Sequence, residues 1–236
     1  LIGAIPASEL RRELRKPWPY LPPFPPPRIV SCRWMQAGPT NVPGRVTGMA
    51  VTKQPSSPGT PRVIVTTVGG VWRSMDGART WERVSDRMKP GVFGAVAVTP
   101  GLSGEIFVGG GDPNYRDPAR AGGPGIWHST SGGDPASWQP VGPPELDDAV
   151  IFRLQISPAG NHDVFTATSK GVYWGDRSSG TTIAWSRLKG GSANPFDAPT
   201  SDIAVHFDAA GTPTLYARSY GRGTNRAAGF WKFTGS

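Results

Sequence analysis

Cysteine is almost absent from this chain. Cys32 is the single one among 236 residues, which excludes an internal disulfide and any cysteine-based zinc site. No apolar run approaches the roughly 18 residues needed to cross a bilayer. Charged residues make up only 18% of the chain, and no long stretch keeps a helical apolar period. Ile29-Val30-Ser31-Cys32 has the outline of a lipoprotein cleavage box. However, Pro22 to Arg28 stand where the apolar core of a leader would have to be, so that reading fails. The chain opens on Leu1 rather than Met, which leaves a preceding signal or anchor segment open.

What is present points the other way. Gly 32, Pro 26 and Trp 9 are all high, the mixture expected of many short strands joined by turns. The length suits one all-β domain with a sizeable core. A formal charge of +8 favours acidic partners such as an anionic membrane surface, a polyanion or an acidic protein, and equally describes ordinary solvated charge.

Residues 1–29 differ from the rest of the chain. Ser8 can cap a short helix over Glu9 to Lys16 that Pro17 would stop, with Leu10 and Leu14 set among Arg11, Arg12, Arg15 and Lys16. Two turns are marginal alone in water, so such a helix needs a surface to lie on. Pro17 to Pro27 then reads as an extended polyproline-like arm carrying Trp18, Tyr20 and Phe24. Prolines reduce the entropy lost on docking and aromatics supply contact area, so the arm is expected to bind a neighbouring protein.

From residue 30 the chain repeats. Gly70-Val71-Trp72, Gly125-Ile126-Trp127, Gly171-Val172-Tyr173 and Gly229-Phe230-Trp231 open equivalent strands spaced by 55, 46 and 58 residues. Each is preceded by an alternating apolar strand (Val46 to Val51, Ala95 to Val98, Phe152 to Ile156, Ile203 to Phe207) and a second short one. Three are followed by a strand opening on Trp81, Trp138 or Trp185. The last unit has no fourth strand of its own, and Ser31 to Gln36, with Trp34, is the expected donor. The expectation is a propeller of four antiparallel four-stranded blades over residues 30–236, its last blade closed by an N-terminal strand, or else half of a larger propeller.

One turn carries a resemblance. In Ser74-Met75-Asp76-Gly77-Ala78-Arg79-Thr80-Trp81 the Asp76 carboxylate can fold back onto backbone N–H groups, and Gly77 can take positive φ. The pattern resembles the Asp-box or BNR repeat through Ser74, Asp76, Thr80 and Trp81, with Ala78 at the family's second glycine. In that family the motif is a structural staple of propeller blades, found in sialidases and other glycoside hydrolases, sortilin-type receptors and photosystem II assembly factors. Gly38 to Val46 with Gly69 to Ser74 also looks like sortilin-like and xyloglucanase-like repeats. A sialidase would carry an early Arg-Ile-Pro; Arg28-Ile29-Val30 lacks the proline.

The longest insertion, Gly109 to Gly125, holds Asp112, Asn114, Tyr115, Arg116, Asp117 and Arg120, and is expected to contact a partner. Its acidic residues are too few for calcium. The basic segment from Ser219 to Arg226 is expected on the same side of the ring. His128, His162 and His206 lack ligand spacing, and Glu145, Asp147 and Asp148 read as loop acidity, so neither metal nor cofactor is expected. The functional expectation is a non-catalytic extracytoplasmic propeller, an accessory or scaffold subunit of a membrane-associated assembly, with a photosynthetic complex as one version by analogy alone. The alternative is a carbohydrate-active enzyme or glycan-binding module. Nucleic acid is disfavoured, because the aromatics that would stack on bases cluster in the arm.

Overall fold

The computed structural model describes residues 3–4, 45–54, 57, 59–99, 104–114, 121–158, 163–178, 182–188, 198–208, 212–220 and 228–234. The expected helix at Glu9 to Lys16, the aromatics Trp18, Tyr20 and Phe24, and Trp34 lie outside these residues.

Among the described residues the chain is a propeller of four antiparallel four-stranded sheets with no α-helix. Blade one runs β2 (Val46–Thr52), β3 (Arg62–Thr67), β4 (Gly70–Ser74) and β5 (Glu82–Arg83). Blade two runs β6 (Phe93–Val98), β7 (Ile106–Gly110), β8 (Ile126–Ser129) and β9 (Gln139–Pro140). A 3₁₀ turn at Pro144–Leu146 leads to blade three: β10 (Ile151–Ile156), β11 (Val164–Thr168), β12 (Gly171–Asp176) and β13 (Ala184–Arg187). Blade four has β14 (Thr200–Phe207), β15 (Pro213–Ser219) and β16 (Gly229–Thr234).

The outer edge of blade four is taken by an N-terminal strand, as the missing fourth strand requires. Its identity differs from the expected Ser31 to Gln36. Strand β1 (Gly3–Ala4) pairs antiparallel with β16, setting Gly3 against Lys232 and Ala4 against Trp231. A strand of two residues is too short to carry an alternating apolar pattern, so the sequence did not mark it.

Each blade carries the same irregularity. The register between inner and second strands slips by one residue at Val46/Gly48, Phe93/Ala95, Ile151/Arg153 and Thr200/Asp202. The bulged residues are therefore Thr47, Gly94, Phe152 and Ser201. Two of them reach the start of the next inner strand. The Thr47 hydroxyl donates to the carbonyl of Phe93. A Cβ built on Gly94 would stand 3.0 Å from the Ile151 carbonyl oxygen and 2.5 Å from that of Gly111, so only glycine fits there.

The bulge also fixes which side chains face which neighbour, since successive strand residues alternate faces. Counting from it, Val96 and Val98 of blade two, Leu154 and Ile156 of blade three, and Ile203 and Val205 of blade four point backward onto the preceding blade. Three apolar clusters result, one between each consecutive pair of blades. Ile64, Val71, Val84, Phe93, Ile106 and Val108 fill the first. Phe107, Ile126, Leu146, Ile151, Leu154 and Ile156 fill the second. Phe165, Val172, Ile203, Leu215 and Ala217 fill the third. The forward-facing Gln155 spans the third gap, donating to the Val205 carbonyl at 3.2 Å and accepting from its N–H at 3.1 Å. Inner strands thus pack in the order β2, β6, β10, β14, while among the described residues β14 and β2 show no packing of comparable extent.

Candidate interaction surfaces

The antiparallel topology sorts the loops onto two faces. Hairpins between first and second strands, and between third and fourth, lie on one face. Those between second and third strands lie on the other, with the connections from blade to blade.

The first face holds the Met75–Arg79 turn, where every polar group has a task. Asp76 Oδ1 accepts from the N–H groups of Arg79 at 3.0 Å and Thr80 at 2.9 Å, and from the Ser74 hydroxyl at 2.8 Å. Its Oδ2 accepts from the Thr80 hydroxyl at 2.6 Å, and Ser74 Oγ accepts from Ala78 N–H at 2.8 Å. These donors, with Thr80 foremost, hold the Asp76 carboxyl far below the ordinary carboxylate range. Gly77 takes φ +74° and Ala78 φ +69°, so the alanine sits where a Cβ is unwelcome. Trp81 lies immediately before β5. The turn of blade two repeats the backbone without the acid: Gly132 and Gly133 have φ +64° and +78°, and Gly133 N–H donates to Ser129 Oγ at 2.9 Å. Asp176 closes the equivalent turn of blade three by accepting from Ser178 N–H at 2.8 Å, which lowers its carboxyl below the ordinary range as well.

Between blades two and three the chain builds a clasp that its sequence did not advertise. Arg177 donates to both oxygens of Glu105, at 2.7 and 3.1 Å, and its guanidinium carbon lies 5.6 Å from the centre of the Phe107 ring. His128 stacks on Phe107, with ring centres 4.1 Å apart and planes inclined by 11°. Its Nε2 stands 3.4 Å from Glu105 Oε1. Burial pushes the His128 imidazole below its ordinary value against the pull of Glu105, with Arg177 adding to the depression. Such stacking and ion pairing are blade-to-blade fastening, which matches the structural role expected of His128. His206 is exposed on β14, and His162 lies outside the described residues.

The second face carries the long insertion after β7. Its first and last residues are knitted to the blade: Asp112 N–H donates to Ala121 O at 2.8 Å, Gly111 N–H to Val92 O at 2.8 Å, and Gly123 N–H to Ala149 O at 3.1 Å. Asp112 is buried, accepts from Asn114 N–H at 3.0 Å and forms an ion pair with Arg45. Tyr115, Arg116 and Arg120 lie outside the described residues, so the expected contact residues at the tip are not placed. The acidic group at Glu145 to Asp148 is a neighbour of the insertion: Lys170 Nζ donates to the carbonyls of Glu145 at 2.7 Å and Asp147 at 3.1 Å, and Asp148 N–H donates to Gly123 O at 3.0 Å. Tyr220, from the blade-four hairpin on this same face, packs edge-on against Phe152 at 5.8 Å. Among the described residues no three His, Cys, Asp or Glu side chains gather to hold a metal ion. No helix among them is long and apolar enough to cross a membrane.

A third surface was not anticipated by residue type. Val46, Met49 and Val51 of β2 are 50%, 66% and 54% exposed, although Leu154 and Ile203, which occupy the place of Met49 in blades three and four, are 4% and 3% exposed. At the other end of the array, blade four turns Asp202, Ala204, His206, Arg218, Phe230 and Lys232 outward. Phe230 is 50% exposed and stacks on Tyr216 at 5.9 Å, over which Lys232 also lies. Only the bulge register, invisible in the sequence, identifies these as the two end faces of one stack.

No protein-family model matches the chain, and no curated protein matches it. Solved structures do. An ancestral GH74 enzyme is 26% identical with a TM-score of 0.54, the match covering 74% of this chain and 22% of that one. A Niastella koreensis GH74 enzyme is 17% identical with a TM-score of 0.48, covering 72% and 25%. The extracellular domain of a one-component system from B. thetaiotaomicron is 12% identical with a TM-score of 0.46, covering 78% and 21%. The chain therefore spans about a quarter or less of each of these three proteins. Its strand topology and the likeness to the ancestral GH74 enzyme together make it a propeller-type all-β fold.

Proposed function

We propose that this chain is a non-catalytic, extracytoplasmic propeller module that works by binding protein, as a scaffold or accessory subunit of a larger, membrane-associated assembly. One observation carries the reading: side chains that are core in the later blades are exposed in the first, leaving an apolar end face on β2. Exposed apolar surface clustered in this way marks an interaction site rather than ordinary surface scatter. Two described carboxylates on the insertion face are already paired, Asp112 with Arg45 and Asp86 with Arg83 at 3.1 Å. The Met75–Arg79 turn belongs to this proposal as an Asp box, a hairpin staple rather than a site. The arm and its Leu10, Arg11, Arg12, Leu14, Arg15, Lys16, Trp18, Tyr20 and Phe24 would supply a second tether. Nothing in the fold or its neighbours favours the photosynthetic version, and it is left aside.

Affinity isolation of the full chain from its native membrane fraction tests the scaffold. Stoichiometric protein partners are expected, with fewer retained after deletion of residues 1–29 or after Met49→Lys. An unchanged partner set in both variants would contradict it. The second reading, a carbohydrate-active module, draws on the likeness to the ancestral GH74 enzyme. Hydrolysis of a glycan panel by the purified chain, abolished on replacing an insertion-face carboxylate, would decide for that reading instead.

A further inference from the structure

We infer that the occupant of the exposed blade-one face is blade four of a second copy of this chain, and that two copies close head to tail into one ring of eight blades. The inference rests on reading the end faces as docking surfaces and names their partner. Within the chain one kind of surface covers backward-facing side chains, namely the forward face of the preceding blade. Blade one's forward face covers Val96: a Cβ built on Gly48 would stand 3.5 Å from Val96 Cγ1. Blade three's forward face reaches blade four through Gln155. Among the described residues three such interfaces are used, leaving one forward face, on blade four, and one set of exposed backward positions, Met49 and Val51. These are complementary halves of an interface the molecule already makes three times.

Among the described residues β14 and β2 show no packing of comparable extent within one copy. Two copies joined at both ends make a ring of eight blades, within the range known for propellers. A closed pair uses both ends of each copy, which doubles the area buried relative to an open pair. Stable complexes bury roughly 800 Å² per partner, and using both ends moves the pair toward that figure. The join is heterologous, blade four against blade one, yet a two-fold axis closes it without leading to filaments. On the blade-four side, Ala204 and Asp202 would receive Met49 and Val51, flanked by Tyr216 and Phe230.

Light scattering on the full chain, with matched variants, tests this. Wild type is expected at twice 25.0 kDa, whereas Met49→Lys and Phe230→Glu, each altering a half-exposed or more exposed side chain, should run as folded monomers. Mixing these two variants should restore the dimer, because the hybrid has one unaltered join and one that sets Lys against Glu. Val51→Lys and Lys232→Glu repeat the test if either first variant fails to fold. A monomeric wild type at high concentration, a dimer that survives both single substitutions, or a mixture that stays monomeric would each overturn the proposal. The wider docking reading would survive such a monomer if Met49→Lys still released a different bound protein.

Discussion

At the residue scale the Asp76 turn shows how a few polar atoms hold a hairpin. Four donors converge on one carboxylate, so its charged form is stabilised in the folded chain relative to the unfolded one. This sets the direction of the pH effect. Asp76 contributes stability that is fully present above its ordinary value of 3.8 and is lost as pH falls toward its depressed folded value. Thermal melts of wild type and Asp76→Asn should therefore differ most near neutrality and converge in strong acid; a constant gap across pH would contradict the account. Ala78 beside it is held at φ +69°, a left-handed backbone that glycine adopts freely. Ala78→Gly is expected to raise stability by about 0.5–1 kcal/mol in denaturant titration, the strain relieved outweighing the added freedom of the unfolded chain. This turn was legible residue by residue, because its chemistry is local. The Glu105–Arg177 pair was not, since 72 residues separate partners whose meeting depends on the packing of two blades.

At the scale of the element, the bulge at the start of each inner strand decides what is core. The apolar alternation of the strands placed all four blades in the sequence, and apart from the closing strand their starts fell within three residues of the observed ones. The bulge was hidden because Thr47, Gly94, Phe152 and Ser201 share no side-chain chemistry; the common feature is backbone pairing. Its consequence is measurable. Leu154→Ala should cost about 3 kcal/mol, because it empties a packed site between blades two and three. Met49→Ala, at the equivalent position, should cost under about 0.5 kcal/mol in dilute solution, where the side chain faces water. Equal losses at the two positions would refute the register. The His128 element adds a pH effect of its own. Its folded value lies below the ordinary 6.5, so the unfolded chain binds more protons and stability falls as pH drops below about 6.5. Denaturation midpoints measured through that range should decline in wild type and decline less in His128→Gln; parallel curves would rule out this histidine as the source.

At the scale of the whole molecule, the chain is four blades of a propeller with an unsatisfied surface at each end. The repeat spacing announced the blades and their number, and the missing fourth strand announced that the N-terminal region must supply one. It could not announce which segment does so, since a strand as short as Gly3–Ala4 has no alternation to read. Nor could composition show that Met49 is exposed while Leu154 is buried, because the two look alike until their neighbours are known. The proposed function rests on that one asymmetry between equivalent positions.

The most direct measurement replaces Met49 and Asp202 with cysteine in a Cys32→Ser background and follows oxidation by mass. Asp202 stands in blade four where Gly48, which abuts Val96, stands in blade one. The account predicts disulfide-linked species of twice the chain mass and no cross-link within one chain. A product of single-chain mass with both new thiols consumed would show blades one and four in contact within one molecule, and would contradict it.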